Sequence, residues 1–249
     1  MNRHAVGLLA LAVAGTAIAQ AQQPSAALAT YLRDNIGFTP AQIAAMERGE
    51  VVVKVLPSTN DRDVVVFGIV TAPVSRAAYV AIAKNFRTSL AGPNRPQLGI
   101  FSDPPVAADL QSLVVSKDEA ADLEKCKPGD CAMKLPLADM RTLHAQIRWA
   151  SPTLSADVSA FARKRFLEYA TDYRQRGDAA MAVFADRGNV SARAAFADIL
   201  DDSPYVYQHV PSVTQYLIAY PRGRLPDATE VLYWSQDILP RLRPIISIT

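Results

Sequence analysis

Residues 50–70 read EVVVKVLPSTNDRDVVVFGIV: two β-branched runs, Val51–Leu56 and Val64–Val70, on either side of STND at 58–61. Valine, isoleucine and phenylalanine fit a pleated surface, while Ser, Asn and Asp supply turn chemistry, so the stretch predicts a β-hairpin. The second run is apolar at nearly every position, which predicts cover on both of its faces.

Two helices precede the hairpin. SAALATYLRDNIG at 25–37 is one, and TPAQIAAMERGE at 39–50 is the other, with Thr39 as N-cap, Pro40 in the first turn, Gln42 completing a capping box and Gly49 as stop. Downstream, TAPVSRAAYVAIAKNF at 71–86 has Val74, Ala77, Ala78, Ala81 and Ile82 at the spacing of one helix face. QLGIFSDPP at 97–105 reads as a strand, and SKDEAADLEKC at 116–126 as a helix capped by Ser116 with Glu119 reaching back.

From residue 137 to about 222 the pattern is mainly helical. PLADMRTLHAQI forms one helix, and residues 151–177 form the longest, with Leu154, Val158, Phe161, Ala162, Phe166, Tyr169 and Tyr173 on its stripe and Gly177 closing it. DAAMAVFADRG, SARAAFADILDD and PSVTQYLIAYP read as shorter helices, followed by strands in TEVLYWSQ and RPIISIT. This order predicts an α+β fold, a single domain over 20–249. In it, the hairpin at 50–70 joins strands near 97, 131, 230 and 245 in one antiparallel sheet, and the helical block is inserted between strands. Ile245, Ile246 and Ile248 make a strong strand that stops at Thr249, which predicts a chain shortened at its C-terminus.

The N-terminus carries Arg3, an apolar run from Ala5 to Ala14, and Ala17-Ile18-Ala19 before Gln20. These are the parts of a secretory signal peptide over 1–19, cleaved between Ala19 and Gln20. The run is too short for a permanent membrane helix. Removing it leaves 25 basic against 24 acidic side chains, a balance that gives no reason to expect nucleic acid as partner. The expected location is periplasmic or secreted.

Export frames the two cysteines, Cys126 and Cys131, in CKPGDC. Pro128 and Gly129 suit the centre of a type II turn from Lys127 to Asp130, which brings the cysteines opposite each other. A structural disulfide is the expected outcome in an oxidising compartment. The spacing lacks the C-x-x-C of a thioredoxin-like pair and the C-x-x-C-H of haem attachment, and no further ligands stand at zinc spacing. A redox-active pair and a metal site stay open as lesser readings.

Little else is chemical. No G-x-S-x-G, P-loop, G-x-G-x-x-G or H-E-x-x-H occurs, and neither cofactor nor metal is implied. His144 reads as a packed or surface histidine. His209, in a loop among aromatics, is the histidine through which a hydrolase-type enzyme would work, with no partner at a recognisable spacing. Asp201 and Asp202 read as turn residues ahead of Ser203-Pro204. Five of the nine tyrosines, Tyr205, Tyr207, Tyr216, Tyr220 and Tyr233, fall between 205 and 233, joined by Trp234. Tyr216 and Tyr220 share a helix face, and strand alternation sends Tyr233 and Trp234 to opposite sides. Such a cluster serves core packing, a ligand pocket or an interface.

The stretches ERGEVVVKVLPSTNDRDVVVFGIVTAP, LGIFSDPP, CKPGDCAMKLP, LYWS and RPIISIT resemble a family of uncharacterised exported bacterial proteins, over most of the chain that follows the signal. That resemblance implies relationship without a known activity, and relatives with further strands beyond the position of Thr249. More locally, VTAPVSRAAYVAIAKN resembles the entry of START-like helix-grip domains, which implies a curved sheet holding an apolar ligand against a long helix. Three functions follow as expectations: a non-enzymatic module binding an apolar or lipid-like small molecule, a protein–protein interaction module of the cell envelope, or an enzyme using His209.

Overall fold

The computed structural model describes residues 26–58, 64–201, 211–226, 228–240 and 244–249. The signal segment 1–19 with its Ala19–Gln20 junction, Asp202, Tyr205, Tyr207 and His209 lie outside the described residues. The fold is α+β, and the chain divides into two units, Met1–Arg76 and Ala77–Thr249.

In the first unit, α1 (Ala26–Asp34) and α2 (Pro40–Glu47) precede β1 (Val52–Leu56) and β2 (Val65–Ile69). The local sequence accounts for each boundary. Thr39 accepts from the Gln42 backbone at 3.2 Å while the Gln42 side chain takes the Thr39 N–H at 3.0 Å, the reciprocal capping box expected of this sequence. The strands pair antiparallel in the register Val53 with Gly68 and Val55 with Val66. Alternate residues face inward, where Val52, Leu56, Phe67 and Ile69 pack with Leu32, Ile36, Phe38 and Met46 of the helical layer. Phe67 meets Phe38 edge to face, centroids 5.8 Å apart. Lys54 also turns inward, its ammonium donating to the Gly37 carbonyl at 2.5 Å.

Two expectations fail here. Among the described residues β1 and β2 pair only with each other, so the sheet expected to run from the hairpin to the C-terminal strands is instead separate sheets. The reason is local: α1 and α2 cover the inner face of the hairpin before any distant strand is needed. Nor are both faces of the second run covered, because Val64, Val66 and Val70 are at least half exposed.

The helix α3 (Arg76–Lys84) buries no residue. It is followed by α4 (Phe86–Leu90) and β3 (Gln97–Ile100), then α5 (Lys117–Glu124), α6 (Leu137–Gln146) and the long α7 (Leu154–Arg176). A short pair, β4 (Val183–Phe184) and β5 (Val190–Ser191), leads to α8 (Ala192–Asp201) and α9 (Pro211–Ala219). The chain returns in β6 (Tyr233–Asp237) and β7 (Ile245–Ile248), and the three-stranded antiparallel sheet has the order β3-β6-β7. DAAMAVFADRG is therefore no α-helix: a 3-10 turn, Gly177–Ala180, gives way to β4, whose pairing with β5 overrides alanine's helical preference. The strand expected at 132–136 reduces to one bridge, Pro136 with Phe184.

The core of this unit lies between the sheet and α5, α6 and α7. Trp234, wholly buried, packs with Phe101, Leu110, Leu113, Leu143 and Val158. The buried polar groups of the sheet are paired: Gln236 donates to Glu119 at 3.0 Å and accepts from Gln97 at 2.8 Å. α7 is stapled to the segment before α5. Its Ser159 hydroxyl accepts from the Val115 N–H at 2.9 Å, and Arg163 donates to the Leu113 carbonyl at 2.9 Å.

Candidate functional site

The tyrosine cluster sits at the C-terminal end of α7. Gly177 ends that helix at φ +58°, and a Cβ there would stand 2.0 Å from the Tyr220 carbonyl oxygen. Only glycine permits this approach. It brings Tyr220 onto Tyr173, the rings stacked at 5.2 Å, with Tyr216 edge-on to Tyr220 at 5.9 Å. Tyr216 and Tyr220 do meet, although the helix ends at Ala219 and Tyr220 lies just beyond it, and their common neighbour Tyr173 was legible only as part of a helix stripe. Arg174 donates to the Tyr220 hydroxyl at 3.1 Å and pairs with Glu230 at 2.9 Å.

The electrostatics of this cluster suit packing more than chemistry. Burial, reinforced by Asp178 and the neighbouring Tyr220 and Tyr169, pushes the Tyr173 phenol up to about 12. It is thus a neutral ring at physiological pH, without nucleophilic character. Burial likewise raises Asp178, with Arg193 pulling it partly back, and its Oδ1 is buried without a hydrogen-bond partner.

Tyr233 and Trp234 belong to a different element, β6. The alternation predicted for them holds: the Trp234 indole is buried and donates to the Asp109 carbonyl at 2.9 Å, while Tyr233 is half-buried beneath the Arg95 guanidinium, 5.9 Å from its ring centroid. Arg95 in turn pairs with Asp237 at 2.6 Å. The six aromatics named by the sequence therefore do not form one patch: two join Tyr173, two lie in the sheet, and Tyr205 and Tyr207 fall outside the described residues.

Cys126 and Cys131 are joined in a disulfide, their Cα atoms 4.3 Å apart. The turn between them is as its sequence dictates, with Gly129 at φ +82° and Lys127 and Asp130 exchanging backbone hydrogen bonds of 3.1 and 3.0 Å. The loop is tied down from outside as well: Gly129 N–H donates to Ala185 at 2.8 Å and Cys131 N–H to Asp186 at 3.3 Å. His144 Nε2 lies 2.6 Å from the Cys126 carbonyl and its ring packs on Trp149, so this histidine is structural. Both sulfurs belong to residues under 10% exposed, a poor position for thiol exchange. Among the described residues no group of His, Cys, Asp and Glu is placed to hold a metal.

Two open hollows flank α7, of about 370 and 390 Å³. The first is lined by Gln146, Ile147, Arg148, Asp157, Ala160, Phe161 and Lys164, the second by Pro136, Asp139, Arg165, Glu168, Tyr169, Asp172, Ala180 and Ala182. Neither includes a residue of β3, β6 or β7.

What the sequence reading missed lies in the first unit. The outward face of the hairpin consists of Val51, Val53, Val55 and Pro57 opposite Val70, Gly68, Val66 and Val64, with no charged residue in either row. Its six valines are 50 to 76% exposed. The period-2 pattern carried the signal, since both residue sets of each strand are apolar and the helices can cover only one. Neither the family models, the curated proteins nor the solved structures compared with this chain give a match.

Proposed function

We propose that this chain is a non-enzymatic interaction module of an exported compartment, docking through the valine face of its hairpin. The observation that carries the reading is that face itself: contiguous apolar surface without charges, on a unit whose own helices occupy the opposite side. Water contact with such a surface is unfavourable, and contiguous patches of this kind mark sites that a partner covers. Export is supported by the signal-like residues 1–19 and by the oxidised Cys126–Cys131 pair. No described helix is long and apolar enough to cross a membrane. The apolar-ligand reading draws less support, since the hollows beside α7 are open to solvent and mix charged with apolar side chains. The enzyme reading rests on His209.

Site-specific photocrosslinking in the intact cell envelope tests the reading. A benzophenone side chain at position 53 or 66 is expected to form adducts that a probe at exposed Gln111 does not, and Val55→Lys is expected to abolish them. Equal labelling from Gln111 would sink the proposal.

A further inference from the structure

We infer that the occupant of the valine face is a second copy of the same chain, docked hairpin to hairpin; this rests on the docking reading above. Gly68 stands in the middle of β2 on the outward face. Glycine weakens a strand, so its presence calls for a reason. Its backbone supplies none, for Gly68 is absent from the residues with positive φ. Packing within the chain supplies none either, because a Cβ there would meet only Val53 Cγ2, at 3.9 Å, an ordinary contact. Gly68 therefore leaves a recess in the face, bounded by Val53 across the ladder and by Val66 and Val70 along the strand. A mid-strand glycine with free space above it marks a place where another molecule comes close.

Three features select a second copy. A twofold contact requires one surface to carry both the projection and the recess that receives it. This face does so, with Val66 one step along the strand from Gly68, so that Val66 of each copy enters the recess of the other. Two like faces also meet without repulsion only if uncharged, and this one is, Lys54 being turned to the inner side. A membrane-facing surface would instead carry a basic or aromatic rim. Finally, at about 100 Å² for a whole valine side chain, six valines about two-thirds exposed offer on the order of 400 Å² per copy, or roughly 800 Å² in the pair. That is below the roughly 1,000 Å² of a stable specific interface, so the dimer is weak, reversible and concentration-dependent.

Sedimentation velocity of the full exported chain, from roughly 1 to 500 µM to cover weak association, tests this. The expected result is a rise from monomer toward twice the mass. Gly68→Val fills the recess where the monomer has room, so it is expected to weaken association at least about tenfold with an unchanged or higher Tm, and Val66→Lys is expected to abolish it. A monomer across the whole range overturns the inference, as does a dimer that survives Gly68→Val and Val66→Lys. Position-53 crosslinks to a protein of different mass, from a chain that sediments as a monomer, would leave the docking reading standing and remove the second copy.

Discussion

The hairpin and the three-stranded β3-β6-β7 sheet treat their faces differently. In the C-terminal unit Trp234 turns into a core built with α5 and α7, the neighbouring Ser235 and Gln236 are buried and hydrogen-bonded, and Tyr233 on the other side lies under Arg95. In the N-terminal unit one face of the hairpin is packed on two helices and the other is bare valine. The same residue types thus serve two ends. Inside a core, apolar area stabilises the chain itself; on an open face, the identical area is free energy still available for association.

The largest effect is expected from damage to the closed sheet. Trp234→Ala removes a wholly buried ring and its hydrogen bond to Asp109 and is expected to cost about 3–5 kcal/mol, read from urea denaturation followed by circular dichroism. A loss below 1 kcal/mol would mean that the second core is not centred where the packing places it. Next in size is the disulfide. Cys126→Ser with Cys131→Ser opens a small loop and is expected to cost about 2 kcal/mol, with thiols in the reduced wild-type chain that react slowly unless it is denatured.

A smaller effect, of opposite sign, is expected at Asp178. Burial holds its carboxyl above the usual range, so the native state binds that proton more tightly than the unfolded chain does. The stability it contributes is whole below the unfolded value and is lost as pH rises through the folded one. Asp178→Asn should therefore stabilise by about 1 kcal/mol at neutral pH and give no gain in acid, which calorimetry at the two conditions would show. The smallest effect belongs to the open face. Val66→Thr in dilute protein is expected to change stability by no more than about 0.5 kcal/mol; a large loss would mean that something already covers the face.

Much of the local structure was legible. The capping boxes at Thr39 and Ser116, the turn at Pro128-Gly129 and the long helix ending at Gly177 all depend on contacts within a few residues, which spacing encodes. The α+β class followed from element order. What failed depended on strand pairing, which the pattern of a single segment does not encode: DAAMAVFADRG gives up its helix to the β4–β5 pair. β6 pairs with β3 across more than a hundred residues, and nothing in the period of either strand says that the hairpin is excluded from that sheet. The candidate site divides in the same way. Tyr216 and Tyr220 were readable as one helix face, whereas their neighbour Tyr173 is brought in by the close approach at Gly177. The apolar run Val64–Val70 predicts cover on both of its faces because apolar sequence reports an aversion to water, not the identity of what satisfies it.

The placement of tryptophan gives the two units separate optical signatures. Trp149 and Trp234 are the chain's two indoles, and both follow Arg76. Excited at the red edge, where tyrosine does not absorb, emission comes from the second unit alone, and the blue-shifted share of it from Trp234 in its dry surroundings. The ellipticity of the peptide backbone reports on both units together. Superimposed melting curves from the two signals would show one cooperative transition, while curves that separate would time the loss of the hairpin unit against that of its neighbour without a label or a mutation.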